Sequence, residues 1–177
     1  MAHADFDKAL ALEAFSLLDA RLVEPIRLIL GGGTAMLLAH GHPASTTDAD
    51  VFPVRGTLEA IEPHARAVAA ELGVAPDWLN QWFTTFTHVL PSSYAERLVR
   101  VFEGRHLVVD ALGAEDLLIM KCFAGRDKDR SHAVRLVRQA KDLELVDSHL
   151  SLLLEKRIPG ADKAADFFDD LRERLGV

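Results

Sequence analysis

Two short stretches in the first third of the chain carry residue types suited to binding phosphate and metal. The first is Gly31, Gly32, Gly33 and Thr34, which lie between an apolar run and a helix-like segment. Glycines let a phosphate approach the backbone closely, and the first turn of a helix offers unpaired N–H groups. Taken alone, this pattern is equally typical of an ordinary tight turn.

The second stretch contains a pair of aspartates. Asp48 and Asp50 are two residues apart, so on a strand they point to the same face. Two carboxylates aimed together repel unless a cation lies between them, unless Lys or Arg pairs with them, or unless burial neutralises one. Mg²⁺ prefers carboxylate oxygens together with substrate phosphates. The pattern therefore indicates a metal site, with an exposed Asp-rich edge as the alternative.

The elements around these residues can be read from hydrophobic spacing. Ile26–Leu30 is apolar apart from Arg27 and is stopped by glycines, which predicts a buried strand. Residues 34–40 predict a helix, and residues 46–54 alternate as a strand does, with Pro53 near the end. We expect these two strands to be neighbours in one mixed sheet.

The rest of the chain predicts an α/β (α+β) fold, a small mixed β-sheet with flanking helices and a helical C-terminal part. The predicted elements are helices at 6–18 and 58–72, a hairpin of 98–102 with 106–111, and helices at 115–124, 130–145 and 162–175. Residues 1–112 are expected to form the α/β core. Residues 113–177 are expected to form a helical region that packs on the core as one compact unit.

Composition limits the possible functions. The net charge is -7, with 27 acidic and 20 basic residues, which argues against a general grip on nucleic acid. Cys122 is the only cysteine, so no internal disulfide can form. No apolar run approaches the length of a membrane span, and the first residues lack a signal-peptide pattern. We expect a cytoplasmic protein without a membrane partner.

The two stretches together resemble the signature of the DNA polymerase β-type nucleotidyltransferase superfamily. The matching residues are 28–35, Leu-Ile-Leu-Gly-Gly-Gly-Thr-Ala, and 47–51, Thr-Asp-Ala-Asp-Val. The particular sequences Gly-Gly-Thr-Ala and Thr-x-Asp-x-Asp are similar to those of the AbiEii-like branch of bacterial toxin nucleotidyltransferases and their uncharacterised relatives. The resemblance implies that Asp48 and Asp50 bind metal and that Gly32, Gly33 and Thr34 hold the triphosphate. The interval from Gly33 to Asp48 is slightly longer than the superfamily pattern.

A second patch resembles the downstream helix pair of the same branch. It runs from Glu115 to Lys121 and continues through the turn at 124–129, Ala-Gly-Arg-Asp-Lys-Asp. By this resemblance Lys121, Arg126 and Lys128 are candidates for nucleotide binding. Lys121 also lies on an apolar helix face, where an ammonium group must reach an anion or water. Snorkelling to water is therefore an alternative to a phosphate contact.

The superfamily adds a third carboxylate from a later strand, as a base or a metal ligand. Asp110, at the end of the second hairpin strand, is the first candidate and Glu103 the second. If Asp110 is the third acid, alternation along the strand places Leu107 and Val109 in the core and Asp110 on the opposite face, towards the aspartate pair. An Asp110 on the loop side without a catalytic role is the alternative. The pair Trp78 and Trp82 is predicted to belong to the core, with a platform for stacking on bases as the alternative.

The resemblance implies a transferase that moves a nucleoside monophosphate from an NTP to a hydroxyl acceptor with Mg²⁺ (or Mn²⁺) as cofactor. The acceptor could be RNA, a protein or a small molecule. The branch also implies a toxin of a toxin–antitoxin pair, with an antitoxin protein as a possible partner. The alternative is a catalytically silent protein of the same fold that binds a nucleotide or a protein partner.

Overall fold

The computed structural model describes residues 4–42, 46–126 and 129–177. The fold is mixed α/β with a helical C-terminal part, as predicted. The chain divides into two compact units. The first contains the residues up to Thr84 together with Leu98–Leu112, and the second contains Thr85–Arg97 and Gly113–Val177. The predicted division into 1–112 and 113–177 stays a prediction.

The first unit contains a five-stranded mixed sheet. Its strands are β1 (Ile26–Leu30), β2 (Ala49–Arg55), β3 (Leu79–Asn80), β4 (Val99–Glu103) and β5 (Leu107–Ala111), in the order β3-β2-β1-β5-β4. Strand β1 pairs antiparallel with β2 and parallel with β5, and β4 pairs antiparallel with β5. The predicted neighbours β1 and β2 and the predicted hairpin are therefore confirmed.

In the described residues of the first unit there are three helices. They are α1 (Lys8–Asp19), α2 (Gly32–Leu38) and α3 (Leu58–Leu72). The side chains of Asp7 and Thr57 cap α1 and α3, because each accepts a hydrogen bond from a backbone N–H of the first turn. Helix α2 begins two residues earlier than predicted, so two of the three glycines lie inside its first turn.

One face of the sheet forms the core of this unit. Paired residues on neighbouring strands share a face, which places Leu30, Val51 and Ala111 together, and all three are fully buried. Trp78 is also fully buried, and its indole N–H donates to the carbonyl of Ala65 over 2.9 Å. The core prediction is confirmed for this tryptophan. For Trp82 it was wrong, because that side chain is 67% exposed.

The opposite face of the sheet is polar at both sides of β1. The register aligns Ile29 with Phe52 on β2 and with Asp110 on β5. Asp50 lies two residues before Phe52 and therefore on the same face. Asp50 and Asp110 thus share one face of the sheet, on the two strands that flank β1.

Four helices form most of the second unit: α4 (Ala114–Ala124), α5 (Asp129–Gln139), α6 (Leu143–Glu155) and α7 (Ala161–Leu175). The single helix predicted over 130–145 was wrong, because the chain breaks between α5 and α6. Glu115 accepts hydrogen bonds from the backbone N–H groups of Lys141 and Asp142, and the Asp142 side chain caps α6. These bonds satisfy N–H groups that would otherwise continue the helix.

Two short 3₁₀ segments connect the sheet strands β3 and β4, at Trp82–Val89 and Tyr94–Arg97. Arg97 forms a bidentate ion pair with the fully buried carboxylate of Asp116 in α4, with N–O distances of 2.9 and 2.7 Å.

Within the described residues, none of the helices has both the length and the apolar character needed to cross a membrane.

Candidate nucleotide and metal site

The glycine turn is fitted closely to Asp50. Gly31 N donates to the Asp50 carbonyl over 2.8 Å, which joins the start of α2 to β2. Gly32 has a φ of +60°, a conformation that L-residues rarely adopt. A Cβ on Gly32 would lie 2.1 Å from Asp50 Oδ2. The Asp50 carboxylate therefore lies directly against the backbone of the turn, where only glycine leaves room for it.

The next two residues connect the turn to the segment before β2. A Cβ on Gly33 would lie 2.7 Å from the hydroxyl oxygen of Thr46. The hydroxyl of Thr34, which is fully buried, donates to the backbone carbonyl of Asp48 over 2.5 Å. The first N–H groups of a helix have no intrahelical acceptor, and in α2 these are the groups at the end that contacts the Asp50 carboxylate.

A third side chain, which the sequence analysis missed, supports the aspartate pair. Asn80 on β3 pairs in register with Asp50 on β2, so their side chains share a face. The Asn80 amide donates to Asp48 Oδ2 over 3.2 Å, and the residue is buried. A two-residue strand with one amide gave no recognisable signal in the sequence.

The segment after Asn80 closes against the glycine turn. Trp82 N donates to Asn80 Oδ1 over 3.0 Å. A Cβ on Gly31 would lie 2.7 Å from a ring carbon of Phe83. The Phe83 ring also contacts the Phe52 ring, with centroids 5.6 Å apart. Residues 80 to 83 are thus fixed to the same turn and strand that carry the aspartates.

Asp110 has the side-chain direction that the strand pattern predicts, with Leu107 and Val109 fully buried on the other face. Its carboxylate is almost completely buried and bound by two arginines. Arg27 Nε donates to Oδ2 over 2.8 Å, and Arg100 Nε donates to Oδ1 over 2.5 Å. The carboxylate therefore takes part in an ion-pair cluster, and its role as the third acid stays a prediction.

The register separates Asp110 from the aspartate pair. Asp110 is two strands from β2 and level with Phe52. The usual strand spacing and rise therefore place its Cα roughly 12 Å from that of Asp50. The β5 chain reaches the level of Asp50 only at Leu112, whose N–H donates to the Leu30 carbonyl. Glu103, the second candidate, is mostly exposed and pairs with Arg100.

The cationic candidates belong to the second unit. Lys121 Nζ lies 2.5 Å from Asp129 Oδ1, and Arg126 Nε lies 2.6 Å from Asp129 Oδ2. Lys121 and Asp129 are both buried, so the apolar-face lysine reaches an anion within its own unit rather than snorkelling to water. Lys128 lies outside the described residues.

The donor atoms beside the turn fit a hard divalent cation. Asp48 and Asp50 supply carboxylate oxygens, and the neighbouring Asn80 orients the first of them. Among the residues described, no three His, Cys, Asp or Glu side chains group so that they could hold a metal ion. Mg²⁺ is commonly bound by one or two carboxylates together with substrate phosphates and water, so two aspartates are enough.

The mixed sheet, the glycine turn and the aspartate pair form the arrangement expected of a nucleotidyltransferase domain. The sequence pattern of a family described as "Nucleotidyltransferase of unknown function (DUF6036)" matches residues 11–158. The chain belongs to this family. Comparison with curated proteins found no match, and neither did comparison with solved structures. The narrower resemblance to the AbiEii-like branch stays a prediction.

Proposed function

We propose that the protein transfers a nucleoside monophosphate from an NTP to a hydroxyl acceptor and releases pyrophosphate, with the nucleotide bound at the glycine turn. The observation that carries this proposal is the close fit of the Asp50 carboxylate against Gly32. It brings a carboxylate to the end of α2 whose first N–H groups have no intrahelical acceptor, and a metal-bound triphosphate needs both kinds of group.

Each residue of this site has a distinct task. Asp48 and Asp50 would hold Mg²⁺ (or Mn²⁺), and Asn80 and Thr34 orient Asp48 through its side chain and its carbonyl. The N–H groups of Gly32 to Thr34 would bind phosphate oxygens. A bound divalent cation would supply charge neutralisation at the phosphates and a lower pKa for the attacking hydroxyl.

Lys121, Arg126 and Lys128 remain proposed counter-charges for the nucleotide. Asp129 already binds the first two, so their role would require sharing or exchanging that carboxylate. The acceptor is proposed to be a hydroxyl on RNA, on a protein or on a small molecule. A cytoplasmic setting and an antitoxin partner belong to the same proposal, and the resemblance to toxin nucleotidyltransferases supports them.

A catalytically silent, nucleotide-binding protein is the second candidate. The observation that favours it is the binding of both Asp110 oxygens by Arg27 and Arg100, which occupies the acid proposed as the base. Transfer of a labelled nucleotide from each α-labelled NTP, measured with total RNA, protein and small-molecule acceptors, separates the two candidates. Any Mg²⁺-dependent transfer that Asp50→Asn abolishes supports the enzyme.

Binding can be tested without knowing the acceptor. Calorimetric titration with each NTP, with and without Mg²⁺, compares the wild type with Asp48→Asn and Asp50→Asn. Both substitutions preserve shape but remove charge, and we expect each to weaken Mg²⁺-dependent binding at least tenfold. Asp77→Asn, at an exposed aspartate of the same unit, is the control and should bind as the wild type does. Wild-type affinity in Asp50→Asn would refute this site.

A further inference from the structure

Trp82 is an exposed aromatic side chain beside the proposed site. It is 67% exposed, and in the described part of the chain no other Trp, Phe or Tyr is in the exposed class. Trp78, four residues earlier, is fully buried against Phe6 and Phe15. The two tryptophans of this unit therefore lie in opposite environments.

The residues on both sides of Trp82 fix its backbone at the site. Its N–H donates to Asn80 Oδ1, and the amide nitrogen of the same side chain donates to Asp48 Oδ2. Phe83, the following residue, packs against Gly31 and Phe52. Since two residues span at most about 7 Å, the indole begins within that distance of the residue that orients the metal ligand.

A single exposed apolar side chain is common on protein surfaces and needs no special explanation. Here the exposed group is the indole of a residue whose backbone is bound by Asn80, which also donates to Asp48. The next residue, Phe83, packs against the glycine turn. An indole that is 67% exposed at such a place is suited to stacking on a planar ring, and every nucleobase has such a ring. A nucleotide whose triphosphate is bound at Gly32 to Thr34 carries its base at the opposite end, beyond the ribose, where an aromatic side chain set apart from the turn can meet it.

We propose that Trp82 stacks on the base of the bound NTP and so provides the base-binding part of the nucleotide site. This inference rests on the proposed function, because it assigns the base of the nucleotide whose triphosphate the glycine turn would hold. Stacking accepts any base, so the protein should bind purine and pyrimidine NTPs with only modest preference.

Tryptophan fluorescence and calorimetry test this assignment together. Mg²⁺ titrations use ATP, UTP and inorganic tripolyphosphate, which has the phosphates but no base. In the wild type, both nucleotides should quench the Trp82 emission and tripolyphosphate should not. Trp82→Ala should weaken nucleotide binding about tenfold, within a range of roughly 5- to 150-fold, and leave tripolyphosphate affinity unchanged.

Two further variants distinguish stacking from bulk. Trp82→Phe keeps an aromatic face and should retain most of the affinity, whereas Trp82→Leu keeps apolar volume only and should resemble Trp82→Ala. Val23→Ala is the matched control, since Val23 is an 81% exposed apolar side chain of the same unit. It should bind nucleotides as the wild type does.

The outcomes separate this inference from the proposed function. If Trp82→Ala binds NTP like the wild type while Asp50→Asn does not, the stacking role is overturned and the metal site stands. Equal loss of tripolyphosphate affinity in Trp82→Ala overturns stacking as well, because the indole then acts on the phosphate site. A wild type that binds neither NTP nor tripolyphosphate overturns both proposals.

Discussion

Replacing Gly32 with alanine tests whether the contact between the glycine turn and Asp50 is needed for nucleotide binding. At a φ of +60°, a residue with a side chain costs about 1–2 kcal/mol relative to glycine. The added Cβ would also lie 2.1 Å from Asp50 Oδ2 and 3.0 Å from its Cγ. Both separations are shorter than van der Waals contact, so the carboxylate must move away from the turn.

Gly73 provides a matched control because it has a similar positive φ without the clash. Its φ is +68°, and a Cβ there would meet nothing within 4 Å. Gly73→Ala therefore carries the conformational cost alone, about 1–2 kcal/mol, which lowers Tm by roughly 2–8 °C in a chain of this size. Gly32→Ala should lose at least as much stability, and also move Asp50.

The decisive measurement is the affinity for Mg²⁺·NTP in both variants at a temperature where each is folded. We expect Gly32→Ala to bind about 10- to 100-fold more weakly than the wild type, the usual effect of disturbing the support of a metal ligand. Gly73→Ala should bind normally. Urea unfolding of the same samples gives the stability terms. If the two variants bind equally well, the carboxylate against the turn is not part of a nucleotide site.

Three other substitutions test the surroundings of the site. Asn80→Leu removes the amide that donates to Asp48 and should weaken Mg²⁺·NTP affinity about tenfold in calorimetry. Asp110→Asn should lower the urea-derived free energy of unfolding by about 1–3 kcal/mol, because two guanidinium groups lose their carboxylate. A hundredfold fall in transfer rate with unchanged nucleotide affinity would also assign Asp110 the base role. Burial raises the pKa of Asp129, but hydrogen bonds from its Arg and Lys partners outweigh it and hold the pKa below its ordinary value. The stabilisation from this ion pair is complete above about pH 5 and is lost as the pH falls through about 3.9 towards the pKa of the folded state. In Asp129→Asn, the free energy of unfolding should therefore depend less on pH between about pH 5 and 3, as measured by urea unfolding.

Local signals in the sequence were sufficient for the part of the fold that carries the aspartates. Ile26–Leu30 was bounded correctly because glycines follow it directly and no apolar residue continues the run. The alternation predicted a strand over 46–54, and the structure confirms it from Ala49 onward, whereas Asp48 precedes β2. Such features depend on neighbours within a few residues, so they survive in the sequence alone.

The features that the sequence could not predict depend on residues far apart in the chain. At the break between α5 and α6, Glu115 accepts a hydrogen bond from the N–H group of Lys141, which lies 26 residues later in the chain. The local apolar spacing continues across that break, so it predicted one helix. Asn80 became part of the site only through its pairing with Asp50, 30 residues earlier.

Asp110 combines a feature that local sequence predicts with one that depends on residues distant in the chain. The alternation of β5 predicted the face of its side chain correctly, because the direction of a side chain on a strand is a local property. Its level relative to Asp50 depends on the register of β1 against both neighbours, and alternation within a strand does not distinguish registers that differ by two residues. The register sets Asp110 beside Arg27 and Arg100 and continues with Leu112 at the level of the aspartate pair. A transfer mechanism built on this sheet must therefore either obtain its proton acceptor by releasing Asp110 from two arginines, or proceed with the two aspartates and the acceptor's own groups.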